Sequence, residues 1–97
     1  MKKLKVLAVC GFGVGSSMLL KMNVDDVLQA QGIKAEVSTA DIMTAASVDA
    51  DLIFTSKELY GQLKEQVSIP LIEILNFMDH KEIEEKGMPI IKEILGQ

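Results

Sequence analysis

A single cysteine, Cys10, heads the run CGFGVGSS at residues 10–17. Glycine at positions 11, 13 and 15 leaves the backbone free to turn successive N–H groups inward. Ser16 and Ser17 add hydroxyl donors to the same loop. A loop of this kind ahead of a helix start is a site for an anion. Its positive potential also favours the thiolate form of a cysteine at its mouth. The same donors could therefore serve Cys10 in two states, first as a thiolate and then with a phosphoryl group on sulfur. The chemistry this suggests is nucleophilic: Cys10 accepts a phosphoryl group and passes it on.

Other uses of such a loop lack a required residue. In a dinucleotide fingerprint Gly11, Gly13 and Glu36 would fit, but Ser16 stands where the third glycine belongs, and 97 residues leave no room for the second half of that fold. A nucleotide P-loop needs Lys after the glycines, and Ser16-Ser17 stand there instead. The low-molecular-weight tyrosine phosphatases also start a phosphate loop with Cys after the first strand. Their loop closes with Arg, and an Asp-Pro pair supplies the general acid. This chain contains neither an Arg nor an Asp-Pro, and Ser16 occupies the Arg position. Without that guanidinium the transition state for hydrolysis loses its main charge stabilisation, and a phosphocysteine would persist long enough to be transferred.

The flanking sequence must supply a rigid mount for the loop. Residues 3–9 (KLKVLAV) are rich in branched apolar side chains and read as a strand buried on both faces. Ser16 or Ser17 then caps a helix to about Gln31, with Leu20, Val24, Val27 and Leu28 on its core face and Gly32 as terminator. Residues 34–39 make a second strand, Asp41 caps a short helical stretch through Ala46, and residues 52–55 (LIFT) make a third strand. Ser56 starts a helix through Gln66, with Leu59, Leu63 and Val67 spaced for burial. Residues 69–75 (IPLIEIL) form a fourth strand, which Pro70 places at the sheet margin. Asp79 with Glu82 marks another helix start. Gly87 is expected to break that helix, and Pro89 to open the next.

Strands alternating with helices predict an α/β fold: a small, doubly wound, four-stranded parallel sheet in the order 2-1-3-4, with helices on both faces. Ligands of such Rossmann-like sheets bind beyond the carboxyl ends of the strands, where the loop after strand one lies. Residues 1–97 are expected to form one domain with one core. The net charge of −4 and the absence of Arg argue against nucleic-acid binding. No apolar run approaches the roughly 18–20 residues of a membrane span. Lys2-Lys3 ahead of an apolar stretch ending in Cys10 imitates a lipoprotein signal. Lys5 interrupts that stretch, and Val9 is too bulky for the position before such a cysteine. A lone thiol suits a reducing compartment, so a cytoplasmic location is expected.

One block carries a family resemblance. Residues 10–24 (CGFGVGSSMLLKMNV) combine a Cys-Gly start, Gly-Ser-Ser and then Leu-Lys-Met-Asn-Val. This is similar to the IIB component of the bacterial phosphoenolpyruvate-dependent sugar phosphotransferase system, of the ascorbate/galactitol type. The likeness extends over essentially the whole chain in length and strand order. Phe12 and Val14 are apolar where members often carry polar residues, so the resemblance points to the relay role and leaves the sugar open.

The resemblance implies that Cys10 attacks phosphohistidine on a IIA partner and that the group then passes to a sugar held by the membrane IIC partner. The cradle would be the backbone N–H groups of Gly11, Phe12, Gly13, Val14, Gly15, Ser16 and Ser17, with the two serine hydroxyls. No cofactor is implied, and a monomer associating with IIC is expected. On the first helix, Met18 and Met22 lie away from Leu20 and Val24, with Leu19 between the two faces. These three form a candidate apolar docking patch for IIA and IIC.

Other residues offer less. His80, the one histidine, lies in a polar run and reads as solvated. Lys57 follows strand three at the active edge, and Lys21 reads as an exposed helix charge. Helix capping by Ser56 accounts for Thr55-Ser56. One Cys and one His cannot make a zinc site. The alternatives are a cysteine phosphatase and a non-catalytic phosphate-binding module.

Overall fold

The computed structural model describes residues 3–10 and 14–96, and the side chains of all of these except 14–17. The elements run β1 (Leu4–Val9), α1 (Val14–Ala30), β2 (Ala35–Ala40), a 3-10 turn (Ala45–Ser47), β3 (Leu52–Thr55), α2 (Lys57–Gln66), β4 (Leu71–Glu73) and α3 (His80–Leu95). The four strands form one parallel sheet in the order β2-β1-β3-β4, as the alternation of elements predicts.

Strand periodicity divides the core between the two faces of this sheet. Val6, Ala8 and Phe54 pack with Leu20, Val24, Val27 and Leu28 of α1 and with Ile83 and Ile91 of α3. Leu7, Val9 and Ile53 point the other way, against Ala45 and Leu63, with Leu59 and Val67 at the margin. Both faces of β1 are thus covered from Val6 to Val9, and there its sequence is continuously apolar instead of alternating. Pro70 immediately precedes the edge strand β4, and its carbonyl accepts from the Ile53 N–H at 3.0 Å. Gly32 ends α1 in the left-handed region, φ +73°, which lets the Ile33 N–H return to the Leu28 carbonyl at 2.9 Å.

Three local expectations are corrected. Helix α1 starts at Val14, so Ser16 and Ser17 lie inside its first turn and do not cap it. Asp41 caps only a turn: its carboxylate accepts from the Thr44 N–H and hydroxyl, both at 2.9 Å, and the 3-10 turn follows. Helix α3 runs unbroken through Gly87 and Pro89. Ile83, Gly87 and Ile91 form one buried stripe at four-residue spacing, and burying that stripe outweighs the two weak helix formers. Pro89 and Glu85 are both exposed, so the carbonyl deprived of its partner by Pro89 can turn to water. Gly87 has a packing role. A Cβ there would stand 2.8 Å from Cζ and 3.1 Å from Cε1 of Phe54, so glycine allows α3 to lie close on β3.

Candidate active site at the switch point of the sheet

The chain leaves β1 toward α1 and the β2 edge, and leaves β3 toward α2 and the β4 edge. The two connections diverge, which makes the carboxyl ends of β1 and β3 the topological switch point, where open parallel sheets bind ligands. Cys10 is the first residue beyond β1 and is buried, with 6% exposure. The last paired residues of the two strands are Val9 and Thr55. The buried Thr55 hydroxyl donates to the Val9 carbonyl at 2.8 Å, fixing the backbone just ahead of the thiol. Ser56 occupies the matching place beyond β3.

Gly11, Phe12 and Gly13 lie outside the described residues, as do the side chains of Val14, Gly15, Ser16 and Ser17. The backbone of these last four forms the first turn of α1. A helix starting at Val14 leaves the N–H groups of that turn without intrahelical acceptors, four residues past Cys10. Met18, Leu19 and Met22 are exposed on the same helix. The three side chains are therefore at the surface.

The connection between β4 and α3 is held by more bonds than the helix start that Asp79 and Glu82 marked in the sequence. Glu82 accepts from the Leu75 N–H at 2.7 Å and the Asn76 N–H at 2.9 Å, and pairs with the Lys86 ammonium at 2.6 Å. Burial pushes its carboxyl upward, but these donors prevail and hold it below the ordinary range. Asp79 caps α3, accepting from the N–H groups of Lys81 and Glu82 at 3.0 and 3.2 Å.

Asn23 ties α1 to the same connection. Its amide donates to the Phe77 carbonyl at 2.7 Å. Its carbonyl oxygen lies 2.7 Å from His80 Nε2, which must then carry the proton. His80 is half exposed but hydrogen-bonded, which corrects the reading of it as merely solvated. The sequence did hold a sign of this. Asn23 interrupts the apolar stripe of Leu20, Val24 and Val27, and a buried amide on such a face needs partners. Met78 approaches the Asn23 amide at 3.6 Å through sulfur. It adds, with Leu75, exposed apolar surface that the reading of α1 alone missed.

A cavity of about 410 Å³ opens beyond β3 and β4, lined by Ser56, Lys57, Leu75, Asn76 and Met78 among others. Ser56 precedes α2 but makes no side-chain capping bond. Its Oγ is buried and, among the described residues, without a hydrogen-bond partner. Capping therefore does not account for Ser56.

Comparison with known proteins gives this geometry a family. Residues 5–87 match the family described as PTS system, Lactose/Cellobiose specific IIB subunit. An ascorbate-specific PTS system EIIB component of Mycoplasma pneumoniae is 30% identical over 86 residues, 87% of this chain and 90% of that one. The ascorbate-specific component of Salmonella typhimurium is 30% identical over 95 residues, covering 96% and 94%. The lactose-specific IIB domain of the phosphoenolpyruvate:carbohydrate phosphotransferase system from Streptococcus pneumoniae superposes with a TM-score of 0.64 over 98% of this chain and 97% of its own. At 18% identity that likeness concerns the fold alone.

This sheet of parallel strands, with the chain's one thiol directly beyond β1, belongs to a small α/β phosphotransferase, as the matched family shows. The chain belongs to the IIB subunit family of the phosphotransferase system. It is a sugar-transport component, a phosphotransferase working through phosphocysteine, with IIA and IIC proteins as the partners its family implies. Among the described residues no helix is long and apolar enough to cross a membrane.

Proposed function

We propose that Cys10 is the phosphoryl carrier and that the sugar is ascorbate. The observation carrying the first part is that the one cysteine of this phosphocysteine-using family member lies at the switch point, buried and directly beyond β1. The second part is supported by the ascorbate-specific relatives, which run along nearly the whole chain. Galactitol is the sugar that the loop sequence leaves as the alternative.

In the first step the Cys10 thiolate attacks the phosphorus of phosphohistidine on IIA. The S–P bond forms as the N–P bond breaks. The departing ring nitrogen takes that electron pair, while the other nitrogen keeps its proton, leaving a neutral imidazole. In the second step a sugar oxygen held by IIC attacks phosphorus, the S–P bond breaks and sulfur leaves as thiolate. The sugar's proton passes to a base on the IIC side. Backbone N–H groups of the loop and of the first turn of α1 stabilise the phosphoryl oxygens throughout. The protein contributes position and charge stabilisation, and its partners contribute donor and acceptor. A single IIB domain, monomeric and on the cytoplasmic side of the IIC transporter, fits this cycle. With no Arg and no Asp-Pro in the chain, hydrolysis competes poorly.

The test is incubation with phosphohistidine-bearing IIA followed by intact-mass measurement. Wild type is expected to gain one phosphoryl group, and Cys10→Ser none. Equal labelling of both would refute the assignment, and rapid turnover of an aryl phosphate would favour the phosphatase reading. Faster uptake with a galactitol-specific IIC than with an ascorbate-specific one would reassign the sugar.

A further inference from the structure

The donors so far considered all lie on the β1–α1 side of the switch point. Ser56 lies on the other side, where β3 ends and α2 begins. It is 2% exposed, and its hydroxyl has no partner among the described residues. A buried hydroxyl without a partner is destabilising, so such a group in a folded core calls for a reason. Capping α2 would have been the ordinary one, and the side chain does not do it. The residue also lines the cavity beyond β3 and β4. Lys57 and Glu58 line it too, so the side-chain charges there offset one another. The remaining positive potential comes from the opening N–H groups of α2, a ten-residue helix.

Strand register brings this group to the chemistry. Val9 pairs with Thr55, so Cys10 and Ser56, the first residues beyond the two strands, leave neighbouring strands at the same level. Neighbouring strands are about 4.8 Å apart. A phosphoryl group carried on Cys10 adds the reach that brings its oxygens toward the β3 side.

We propose that the Ser56 hydroxyl donates to the phosphoryl group on Cys10 from the β3 side of the switch point. This rests on Cys10 being the carrier. Among the described residues the hydroxyl has no partner, because its partner arrives with the phosphoryl group. It donates its proton in a hydrogen bond to a phosphoryl oxygen and transfers no atom. Since the bond goes to a charged group, it strengthens as negative charge gathers on those oxygens.

The experiment compares wild type, Ser56→Ala and Ser56→Thr in transfer from phosphohistidine-bearing IIA, and measures the melting temperature of each. Ser56→Ala is expected to slow phosphorylation by about 10- to 100-fold, the range for losing a hydrogen bond to a charged group. It is also expected to melt higher, by about 4–8 °C, since an unsatisfied buried hydroxyl has gone. Ser56→Thr, which keeps the hydroxyl, is expected to recover most of the rate. A structural role would lower rate and melting temperature together, and that outcome would overturn the proposal. So would an unchanged rate in Ser56→Ala, or a folded Ser56→Thr as slow as Ser56→Ala. If wild type itself takes no phosphoryl group, the carrier assignment of Cys10 fails and not the role of Ser56 alone.

Discussion

Gly87→Ala is expected to destabilise the protein even though alanine is the better helix former. Gly87 lies in the buried stripe of α3, and an added Cβ would stand 2.8 Å from the Phe54 Cζ and 3.1 Å from Cε1. Carbon atoms in good contact sit about 3.5–4.0 Å apart, so the overlap is on the order of 1 Å. The Phe54 ring is 0% exposed and packed on all sides, so it cannot swing away. Relief requires α3 to lift from the sheet. Overpacking of this kind costs about 1–3 kcal/mol, and so close an approach belongs at the upper end. The gain in helix propensity returns about 1 kcal/mol. The net loss is about 2 kcal/mol, a fall in melting temperature of roughly 8–16 °C for a chain of this size. Gly61 supplies the control. It lies in α2, exposed, with nothing within 4 Å of its added Cβ, so Gly61→Ala is expected to stabilise by about 1 kcal/mol. Urea unfolding of both variants checks the pair. Gly87→Ala as stable as wild type would refute the claim that glycine is there to let α3 approach the sheet.

Further outcomes follow from Glu82 and from the exposed face of α1. Because Glu82 is held below its ordinary value of 4.5, its contribution is present above that value and is lost as pH falls through the lower folded one. Glu82→Gln is therefore expected to narrow its stability gap to wild type as pH drops below about 4.5, and a gap constant with pH in urea titrations would contradict this. Replacing both Met18 and Met22 by Ser should slow transfer from IIA by roughly tenfold or more through a lost apolar contact, with little change in unfolding free energy because both side chains are exposed. An unchanged rate with an intact fold would count against docking there.

Much of the fold was legible because burial has a period. Residues 52–55 make the predicted strand, and Leu20, Val24, Val27 and Leu28 all pack on the sheet. Pro70 marked the edge because a strand interior cannot spare its N–H. The errors arose where tertiary packing overrides a local signal. Gly87 and Pro89 each read as a break, but the stripe from Ile83 to Ile91 needs one continuous helix. Cys10 was singled out by the glycine-serine run that follows it, and the coordinates place it directly beyond β1. The buried Ser56 hydroxyl was not legible, since a serine before a helix ordinarily caps it, and only coordinates reveal a hydroxyl without a partner among the described residues. The bonds of Glu82 to Leu75 and Asn76, and those of Asn23, escaped for a related reason: the partners lie outside the element that carries each side chain.

The central claim is that Cys10 holds a phosphoryl group in transit, on sulfur and long enough to be passed on. A phosphorus NMR spectrum taken after phosphorylation by IIA tests this most directly, because phosphorus bonded to sulfur resonates apart from phosphorus bonded to nitrogen or oxygen. The expected result is one S–P resonance, absent in Cys10→Ser, that persists until IIC and sugar are added and then gives way to sugar phosphate. A spectrum holding only inorganic phosphate, or a signal on nitrogen or oxygen that survives in Cys10→Ser, would contradict it.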